Sequence, residues 1–259
     1  MKLLVRDLRI SFGGRTVVAL EHLEIDEREI VGLVGESGSG KSLTALATLG
    51  LAEAAGARVE GSIRLDGVEL VGLSARRMRD VRGRRIAMIF QSPVSAFSPV
   101  SRVGDLFIRA LRLHGVARAD ANARAHAALQ ETMLPPELLH RFPHELSGGQ
   151  AQRVAIALAV ALRSELLLAD EPTSALDVTV QAEIVDLLRL LREREGMSIL
   201  FISHDLAVVA QLCDRVAVMR SGRVVETGGT ADVLRRPSDP YTRELIAAVP
   251  RLGAGRPAA

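Results

Sequence analysis

A glycine-rich segment near the N-terminus constrains this chain more than any other feature. Residues 35–42 read Gly-Glu-Ser-Gly-Ser-Gly-Lys-Ser and fit G-x-x-x-x-G-K-[ST] at every fixed position. An apolar, β-branched run over 29–34 precedes the segment and an apolar run over 43–51 follows it, which predicts a buried strand, a loop and a helix. Because successive backbone N–H groups and a helix N-terminus bind anions, this segment predicts a loop that holds nucleotide phosphates.

A second glycine pair lies far along the chain, at the start of another predicted helix. Leu146–Gln150 reads Leu-Ser-Gly-Gly-Gln and leads into an apolar run over 154–162. Glycines before a helix allow close approach to an anion, and the helix N-terminus adds free N–H donors. One alternative is an ordinary glycine turn that caps a helix. Since the chain already has one phosphate loop, we expect this second glycine segment to contact the nucleotide that is bound by a neighbouring chain.

Polar side chains follow three short apolar runs that we predict to be buried strands. Asp170 and Glu171 follow the run over 166–169, Gln91 follows 86–90, and His204 comes shortly after 199–202. In doubly wound sheets, ligands bind at the carboxyl ends of the strands, so these groups are expected at the phosphates. Each has a common alternative when it is taken singly: a solvated acidic turn for the two carboxylates, a surface residue for Gln91 and an ordinary core or surface histidine for His204.

In their order along the chain, these segments resemble the motifs of the ATP-binding cassette (ABC) ATPases. Leu146–Gln150 matches the family's signature motif in full, and Pro172–Asp177 matches the loop that passes between paired protomers. The resemblance implies an α/β P-loop NTPase fold with a parallel-sheet core, an N-terminal antiparallel β subdomain and an inserted helical subdomain. It also implies ATP and Mg²⁺ as the bound groups.

The resemblance also implies a role in ATP binding or hydrolysis for individual residues of this sequence. It implies that Glu171 is the general base that orients the attacking water, that His204 is the switch histidine at the γ-phosphate, and that Gln91 contacts Mg²⁺ and that water. Implied Mg²⁺ ligands are Ser42, Gln91 and, through bound water, Asp170. Implied nucleotide contacts are Phe12 on the adenine, the loop residues Gly35, Glu36, Ser37, Gly38, Ser39, Gly40, Lys41, Ser42 and Leu43, and Ser147, Gly148, Gly149, Gln150 and Asp177 across the paired chain. A core position is the alternative for Phe12.

Hydrophobic periodicity agrees with this architecture. Residues 1–30 and 61–67 alternate in the manner of antiparallel strands, whereas 104–144 is helical and alanine-rich, broken by prolines. Beyond residue 165, strands and helices alternate, which is typical of a parallel sheet with crossover helices. There are no internal repeats, so the chain holds one cassette.

Two further segments resemble the dipeptide, oligopeptide and nickel importer group. These are the loop Gln91–Val100 and the segment Arg236–Thr242. Ser92, Ser98 and Ala151 depart from the usual peptide-importer pattern, and the loop's Ser95-Ala96-Phe97 resembles the nickel branch somewhat more than the peptide branch. We therefore predict an ABC ATPase domain over 1–234, with its helical subdomain at about 92–163, and an importer-type extension and tail over 235–259.

Composition narrows the class of protein. The net charge of +2 is too small to imply nucleic-acid binding, and the six arginines within 76–85 are expected to form a solvated surface. No apolar stretch approaches the roughly 18 residues that a membrane-spanning helix needs. The N-terminus meets charge too early for a signal peptide, and Cys213 is the single cysteine, which fits a reducing cytoplasm.

These observations predict the ATPase subunit of a bacterial importer, peripheral on the cytoplasmic face of the inner membrane. The expected partners are a second ABC ATPase subunit, with a paralogue favoured, two membrane permease subunits and an extracytoplasmic substrate-binding protein. The expected cargo is nickel or short peptides. The alternatives are an ABC exporter cassette and a soluble ABC ATPase that acts on nucleic acid or ribosomes.

Overall fold

The computed structural model describes residues 2–174 and 176–248, which form two β-sheets and a set of helices. In chain order the strands are β1 (Leu3–Phe12), β2 (Arg15–Ile25), β3 (Ile30–Val34), β4 (Arg58–Leu65), β5 (Val68–Glu69), β6 (Ile86–Ile89), β7 (Leu166–Asp170), β8 (Ser198–Ser203), β9 (Arg215–Arg220) and β10 (Arg223–Gly229). The helices are α1 (Lys41–Thr48), α2 (Ala75–Val81), α3 (Pro93–Ala96), α4 (Val103–Leu113), α5 (Arg118–Glu131), α6 (Gly148–Leu162), α7 (Val178–Glu195), α8 (Leu206–Leu212), α9 (Thr230–Arg235) and α10 (Pro240–Ala247). Short 3₁₀ helices cover Glu53–Ala55, Pro136–His140 and Pro143–Glu145.

The first sheet is antiparallel and has the strand order β2-β1-β4-β5. Alternate residues of β1, among them Leu3, Val5 and Ile10, are fully buried, and the alternation shifts at a bulge between Arg6 and Arg9. This pattern places one face of the sheet on the core and the other in solvent. The predicted N-terminal antiparallel subdomain is therefore confirmed.

The second sheet has the order β10-β9-β3-β8-β7-β6. All its neighbouring pairs are parallel except β9 with β10, which is antiparallel at the edge. Every residue of β3, β7 and β8 is buried, as expected for strands that are covered by helices on both faces. Their carboxyl ends lie side by side at one edge of the sheet. That edge holds the polar residues singled out by the sequence.

The segment between β6 and β7 contains only helices and turns among its described residues. Helices α4, α5 and α6 pack on one another through Phe107, Leu111, Ala125 and Leu129, which are all buried. Of the prolines expected to interrupt this region, Pro136 and Pro143 each begin a 3₁₀ helix, and Pro135 directly precedes the first of these. The arrangement is that of an inserted helical unit, while the predicted boundaries at 92 and 163 stay a prediction.

Two arginines of the 76–85 cluster differ from the solvated surface expected of them. Arg82 donates to the carbonyl oxygens of Leu49 and Gly50, at 2.8 and 3.0 Å, and so covers the C-terminal end of α1. Arg85 forms ion pairs with Asp66 and Glu165. Both guanidinium groups connect segments that are far apart in sequence, which a local charge count does not reveal.

The C-terminal extension is described as far as residue 248 and forms α9 and α10. The remainder of the predicted tail, residues 249–259, lies outside the described residues. Across 2–174 and 176–248, the helices all fall short of the length and apolar character that crossing a bilayer demands.

Candidate nucleotide-binding site

The glycine-rich loop connects β3 to α1 as the sequence predicts. Gly35 has a φ of 147°, and a Cβ atom there would lie 2.0 Å from the carbonyl oxygen of Met219. Gly40 has a φ of 106° and is the residue from which α1 begins. Both positions need the conformational freedom of glycine, because a side chain would be strained at these φ values and would collide with neighbouring atoms. The resulting tight turn at the start of a helix is the kind of backbone that can approach an anion closely.

Lys41 is only 5% exposed and lies inside this loop. Its Nζ donates to the carbonyl oxygens of Gly35 and Glu36, at 2.8 and 2.9 Å, and lies 3.4 Å from the hydroxyl of Ser39. Burial lowers the pKa of Lys41, while the carboxylates of Glu171 and Asp170 act in the opposite direction. Since the ammonium has three donors and the third contact is the longest, one N–H can turn to a phosphate oxygen.

Ser42 and Asp170 meet at the mouth of the loop. The Ser42 hydroxyl donates to Oδ1 of Asp170 at 2.9 Å. Burial raises the pKa of Asp170, and Glu171 adds to the effect, whereas Ser42 and Lys41 oppose it. One hydroxyl and one carboxylate are hard oxygen ligands of the kind that Mg²⁺ takes when phosphates and water complete its shell. The donor set therefore fits Mg²⁺.

Glu171 lies between the other two polar residues predicted at the strand ends. Nε2 of Gln91 donates to one of its carboxylate oxygens at 3.1 Å, and Nδ1 of His204 lies 3.1 Å from the other. The three residues follow β6, β7 and β8, which are neighbours in the sheet. Glu171 also has a φ of 47°, a left-handed conformation uncommon for a side chain other than glycine. The fold thus brings this carboxylate to a defined position beside the loop.

One cleft of about 610 Å³ brings together Lys41, Ser42, Gln91, Glu171 and His204, whereas Asp170 is not among its lining residues. Its lining residues are Val17, Ser37, Gly38, Gly40, Lys41, Ser42, Leu43, Gln91, Glu171 and His204. A second cleft of about 640 Å³, lined by residues such as Arg28, Asp66 and Arg163, contains none of the predicted site residues.

Two residues of the β1–β2 hairpin differ in their relation to this cleft. Val17 lines the cleft and was not among the predicted site residues. The sequence around it indicates only a position in a strand of alternating polarity, which does not predict contact with a ligand. Phe12 lies at the hairpin turn, is 36% exposed and is not among the residues that line the cleft. Its exposure argues against the core position considered for it, and adenine stacking stays a prediction.

The signature segment is not brought to the phosphate loop of its own chain. The Ser147 hydroxyl accepts from the Gln150 N–H at 3.2 Å, and the Gln150 side chain accepts from the Ser147 N–H at 3.0 Å, which caps α6 reciprocally. A Cβ atom on Gly149 would lie 2.6 Å from Cγ1 of Val180, so this glycine allows α6 to approach α7. Ser147 and Gly148 are exposed and absent from the lining of the cleft.

Asp177 acts as a helix cap in this structure. Its Oδ1 accepts from the Val180 N–H at 3.0 Å, at the start of α7. The capping bond accounts for an aspartate at this position without a ligand. Its predicted contact with nucleotide stays a prediction.

The hydrolysis of a nucleotide by water requires a loop that binds the phosphates and a fixed carboxylate beside it, and both are present at the carboxyl ends of the parallel strands. The sequence matches the family described as "ABC transporter" over residues 21–174, more than half of the chain. The chain therefore belongs to the ABC transporter family, and the predicted fold class is confirmed.

Two curated relatives have peptide transport or glutathione import in their names, which agrees with the predicted dipeptide, oligopeptide and nickel importer group but not with its nickel branch. A "Probable peptide ABC transporter ATP-binding protein y4tR" from Sinorhizobium fredii is 46% identical over 97% of this chain and 78% of its own length. The "Glutathione import ATP-binding protein GsiA" of Shigella dysenteriae is 44% identical over 97% of this chain. The chain spans 42% of that relative's length.

Solved cassettes share the fold over nearly the whole chain. The ATP-binding cassette MJ0796, in a dimeric post-hydrolysis state bound to ADP and Pi, superposes with a TM-score of 0.76 at 26% identity, over 89% of this chain and 99% of its own. The protein cbiO1 from Clostridium perfringens, part of the ABC transporter complex cbiONQ, gives a TM-score of 0.79 at 26% identity over 96% of each chain. The chain is accordingly an ATPase of this family.

Proposed function

We propose that this chain is the ATP-hydrolysing subunit of a bacterial ABC importer for short peptides. The observation that carries the proposal is the carboxylate of Glu171, held between Gln91 and His204 at 3.1 Å from each, at the cleft that also contains Lys41. A carboxylate in such a place can accept a hydrogen bond from a water molecule and direct it at the γ-phosphate.

Each residue of the cleft has a separate task in this mechanism. The loop N–H groups and Lys41 hold the phosphates and stabilise the charge that develops on them. Ser42 and Asp170 would hold Mg²⁺ together with Gln91, and the ion would supply positive charge to the phosphate oxygens. Gln91 and His204 keep the Glu171 carboxylate in a single orientation, so that the attacking water has one preferred position.

The signature segment would complete the site of a second cassette. Ser147 and Gly148 are exposed at the N-terminus of α6, away from the cleft of their own chain, and the structurally similar MJ0796 has been solved as a dimer with ADP and Pi. A head-to-tail pair would bring the free N–H groups and positive end of α6 to the partner's γ-phosphate. We propose a paralogue as the partner, as in other importers of this group.

The surface next to Gln91 is the proposed contact for the membrane permeases. Val94 and Val100 are exposed, the latter to 83%, on the segment that follows Gln91. A small groove of about 70 Å³ lies beside them, lined by Phe97, Ser98, Ser101, Arg102, Val103, Asp105, Leu106, Arg109 and Pro143. Movement of this surface would reach Glu171 through Gln91, which links permease contact to hydrolysis. The structural relative cbiO1 is itself part of a transporter complex.

Peptides are proposed as cargo because the names of both relatives refer to a peptide, which in GsiA is glutathione. Both names favour transport over the nucleic-acid alternative, and the name of GsiA favours import over export. Nickel is the second candidate, on the single observation of Ser95-Ala96-Phe97 in the loop. In either case the chain would be peripheral on the cytoplasmic face of the inner membrane, with two permeases and an extracytoplasmic binding protein.

Uptake measurements on the intact system test this proposal. The gene is deleted in its host and restored either as wild type or as Glu171→Gln, and the uptake of labelled dipeptide, glutathione and nickel is compared. We expect peptide uptake to fall on deletion and to return only with the wild-type gene. Loss of nickel uptake alone would establish the nickel alternative, and unchanged uptake of all three would contradict the importer proposal.

A further inference from the structure

The C-terminal helix α10 reaches back to the phosphate loop through one side chain. Tyr241, in the first turn of α10, is 3% exposed. Its hydroxyl oxygen accepts a hydrogen bond of 3.0 Å from the backbone N–H of Glu36, a residue more than two hundred positions earlier in the chain. The contact lies within the loop that holds Lys41, so the extension is in direct touch with the candidate nucleotide site.

The peptide group that Tyr241 contacts is the same one that Lys41 contacts. The bond between Gly35 and Glu36 is a trans peptide, so its C=O and N–H point in opposite directions. Nζ of Lys41 donates to the Gly35 carbonyl oxygen at 2.8 Å, while Tyr241 accepts from the Glu36 N–H. One peptide group is therefore fixed from both sides, and a rotation that broke one hydrogen bond would break the other.

The tyrosine is in turn fixed by several neighbours. The Arg220 guanidinium lies over its ring at 4.6 Å, and Oδ1 of Asp239 accepts from its backbone N–H at 2.8 Å. The carboxylate of Glu226 on β10 accepts from the N–H and the hydroxyl of Ser238, each at 2.8 Å, and from the N–H of Asp239 at 3.1 Å. These contacts anchor the start of α10 to the edge of the second sheet, so the hydroxyl is held in place.

We propose that Tyr241 is a positioning residue for ATP binding, whose hydroxyl keeps the Gly35–Glu36 peptide group in the orientation that holds Lys41 towards the phosphates. The inference rests on the assignment of residues 35–42 as the ATP loop. It gives the C-terminal extension a part in the ATPase site, and it implies that nucleotide in the cleft stabilises α10. By thermodynamic reciprocity, any coupling of α10 to ATP affinity equals the coupling of ATP to α10.

Tyr241→Phe removes the hydroxyl and keeps the buried ring under Arg220. The Glu36 N–H then loses its acceptor, and the loop can adopt other orientations of that peptide group. A net hydrogen bond contributes about 1 kcal/mol, so the ratio of binding-competent to other loop orientations should fall about 5-fold, and the apparent affinity for ATP should fall by up to that factor. Glu244→Gln, on the exposed side of the same helix, is the matched control.

The experiment measures the binding of a non-hydrolysable ATP analogue to the full chain, as wild type, Tyr241→Phe and Glu244→Gln. Hydrogen–deuterium exchange of residues 240–247 is followed in parallel, with and without the analogue. We expect Tyr241→Phe alone to bind more weakly, by up to about 5-fold. The analogue should slow exchange in α10 of the wild type and of the control, and this protection should be lost in Tyr241→Phe.

Wild-type affinity in Tyr241→Phe, or protection of α10 that survives the loss of the hydroxyl, would overturn the inference. Equal weakening in Glu244→Gln would also overturn it, because the cause would then be general packing of the helix. Failure of the wild-type chain to bind the analogue at all would instead overturn the ATP assignment of the loop, and that outcome is distinct from the others.

Discussion

The hydroxyl of Ser42 donates a 2.9 Å hydrogen bond to Oδ1 of Asp170 and so joins the first turn of α1 to the carboxyl end of β7. Both oxygens belong to the proposed Mg²⁺ site. Burial raises the pKa of this aspartate, so ionisation of its carboxyl group is less favourable in the folded chain than in the unfolded chain. Ionisation of Asp170 therefore lowers the stability of the nucleotide-free chain, at the place where the cation and phosphates would lie.

Asp170→Asn should stabilise the nucleotide-free chain at neutral pH and abolish Mg²⁺-dependent hydrolysis. Because the pKa of Asp170 in the folded chain lies above its ordinary value of 3.8, its favourable contribution to stability is fully present below pH 3.8 and is lost as pH rises through the folded pKa. Asparagine keeps an oxygen that can accept from Ser42 but carries no charge.

Thermal melts from about pH 4 to pH 8 check this prediction. The melting temperature of Asp170→Asn should exceed that of the wild type by an amount that grows with pH. Asp186→Asn, at an exposed ion pair with Arg189, is the control and should change little. A variant that melts below the wild type at pH 8 would contradict the argument.

Glu171→Gln should leave ATP binding intact and lower turnover by about 10²–10⁴. The glutamine keeps the shape of the side chain and an oxygen that can accept from Gln91, but it no longer accepts a proton from water. Steady-state ATPase rates and nucleotide binding are measured on the same preparations, with the exposed Glu193→Gln as control. Retention of more than about a tenth of the wild-type rate would refute the assignment.

Ser147→Arg should abolish hydrolysis in the assembled pair of cassettes without changing ATP binding to the isolated chain. The reason is that Ser147 is exposed and lies outside the lining of its own cleft, so a long cation there obstructs the partner's site. Ser147→Ala is the matched control, because it removes the cap of α6 at a cost of about 1 kcal/mol but leaves space for the partner. Weaker ATP binding by the isolated Ser147→Arg chain would show that the signature acts within its own chain.

Glu226→Gln should loosen the attachment of the C-terminal extension in a pH-dependent manner. Burial alone would raise the pKa of Glu226, but the nearby Thr242 hydroxyl and the hydrogen bonds from Ser238 and Asp239 bring it down to about 2, from an ordinary value of 4.5. The stabilisation is therefore complete above pH 4.5 and is lost as pH falls through about 2.

Melting temperatures of the wild type and Glu226→Gln should consequently differ most near neutral pH and converge as the solution is acidified below pH 4.5. Glu244→Gln serves again as the control within the extension. A difference that stays constant down to about pH 3 would mean that the charge of Glu226 is not the stabilising element.

Much of the site could be predicted from short patterns. The loop 35–42, the carboxylates after 166–169 and the residues Gln91 and His204 were all placed by an apolar run followed by a polar or glycine-rich segment. The geometry of parallel strands then requires these segments to meet, because the carboxyl ends of neighbouring parallel strands share one edge of the sheet. Structure supports this placement with the two 3.1 Å contacts to Glu171.

The sequence by itself determined the class of fold, the phosphate loop and the order of the strand-end residues, since each is encoded by local periodicity and by residue types with few alternatives. Only the tertiary structure revealed that Val17 lines the cleft, that Arg82 covers the end of α1 and that Tyr241 contacts the loop. The physical reason is that these contacts join residues far apart in the chain, and a single partner at long range leaves no period or motif around either residue.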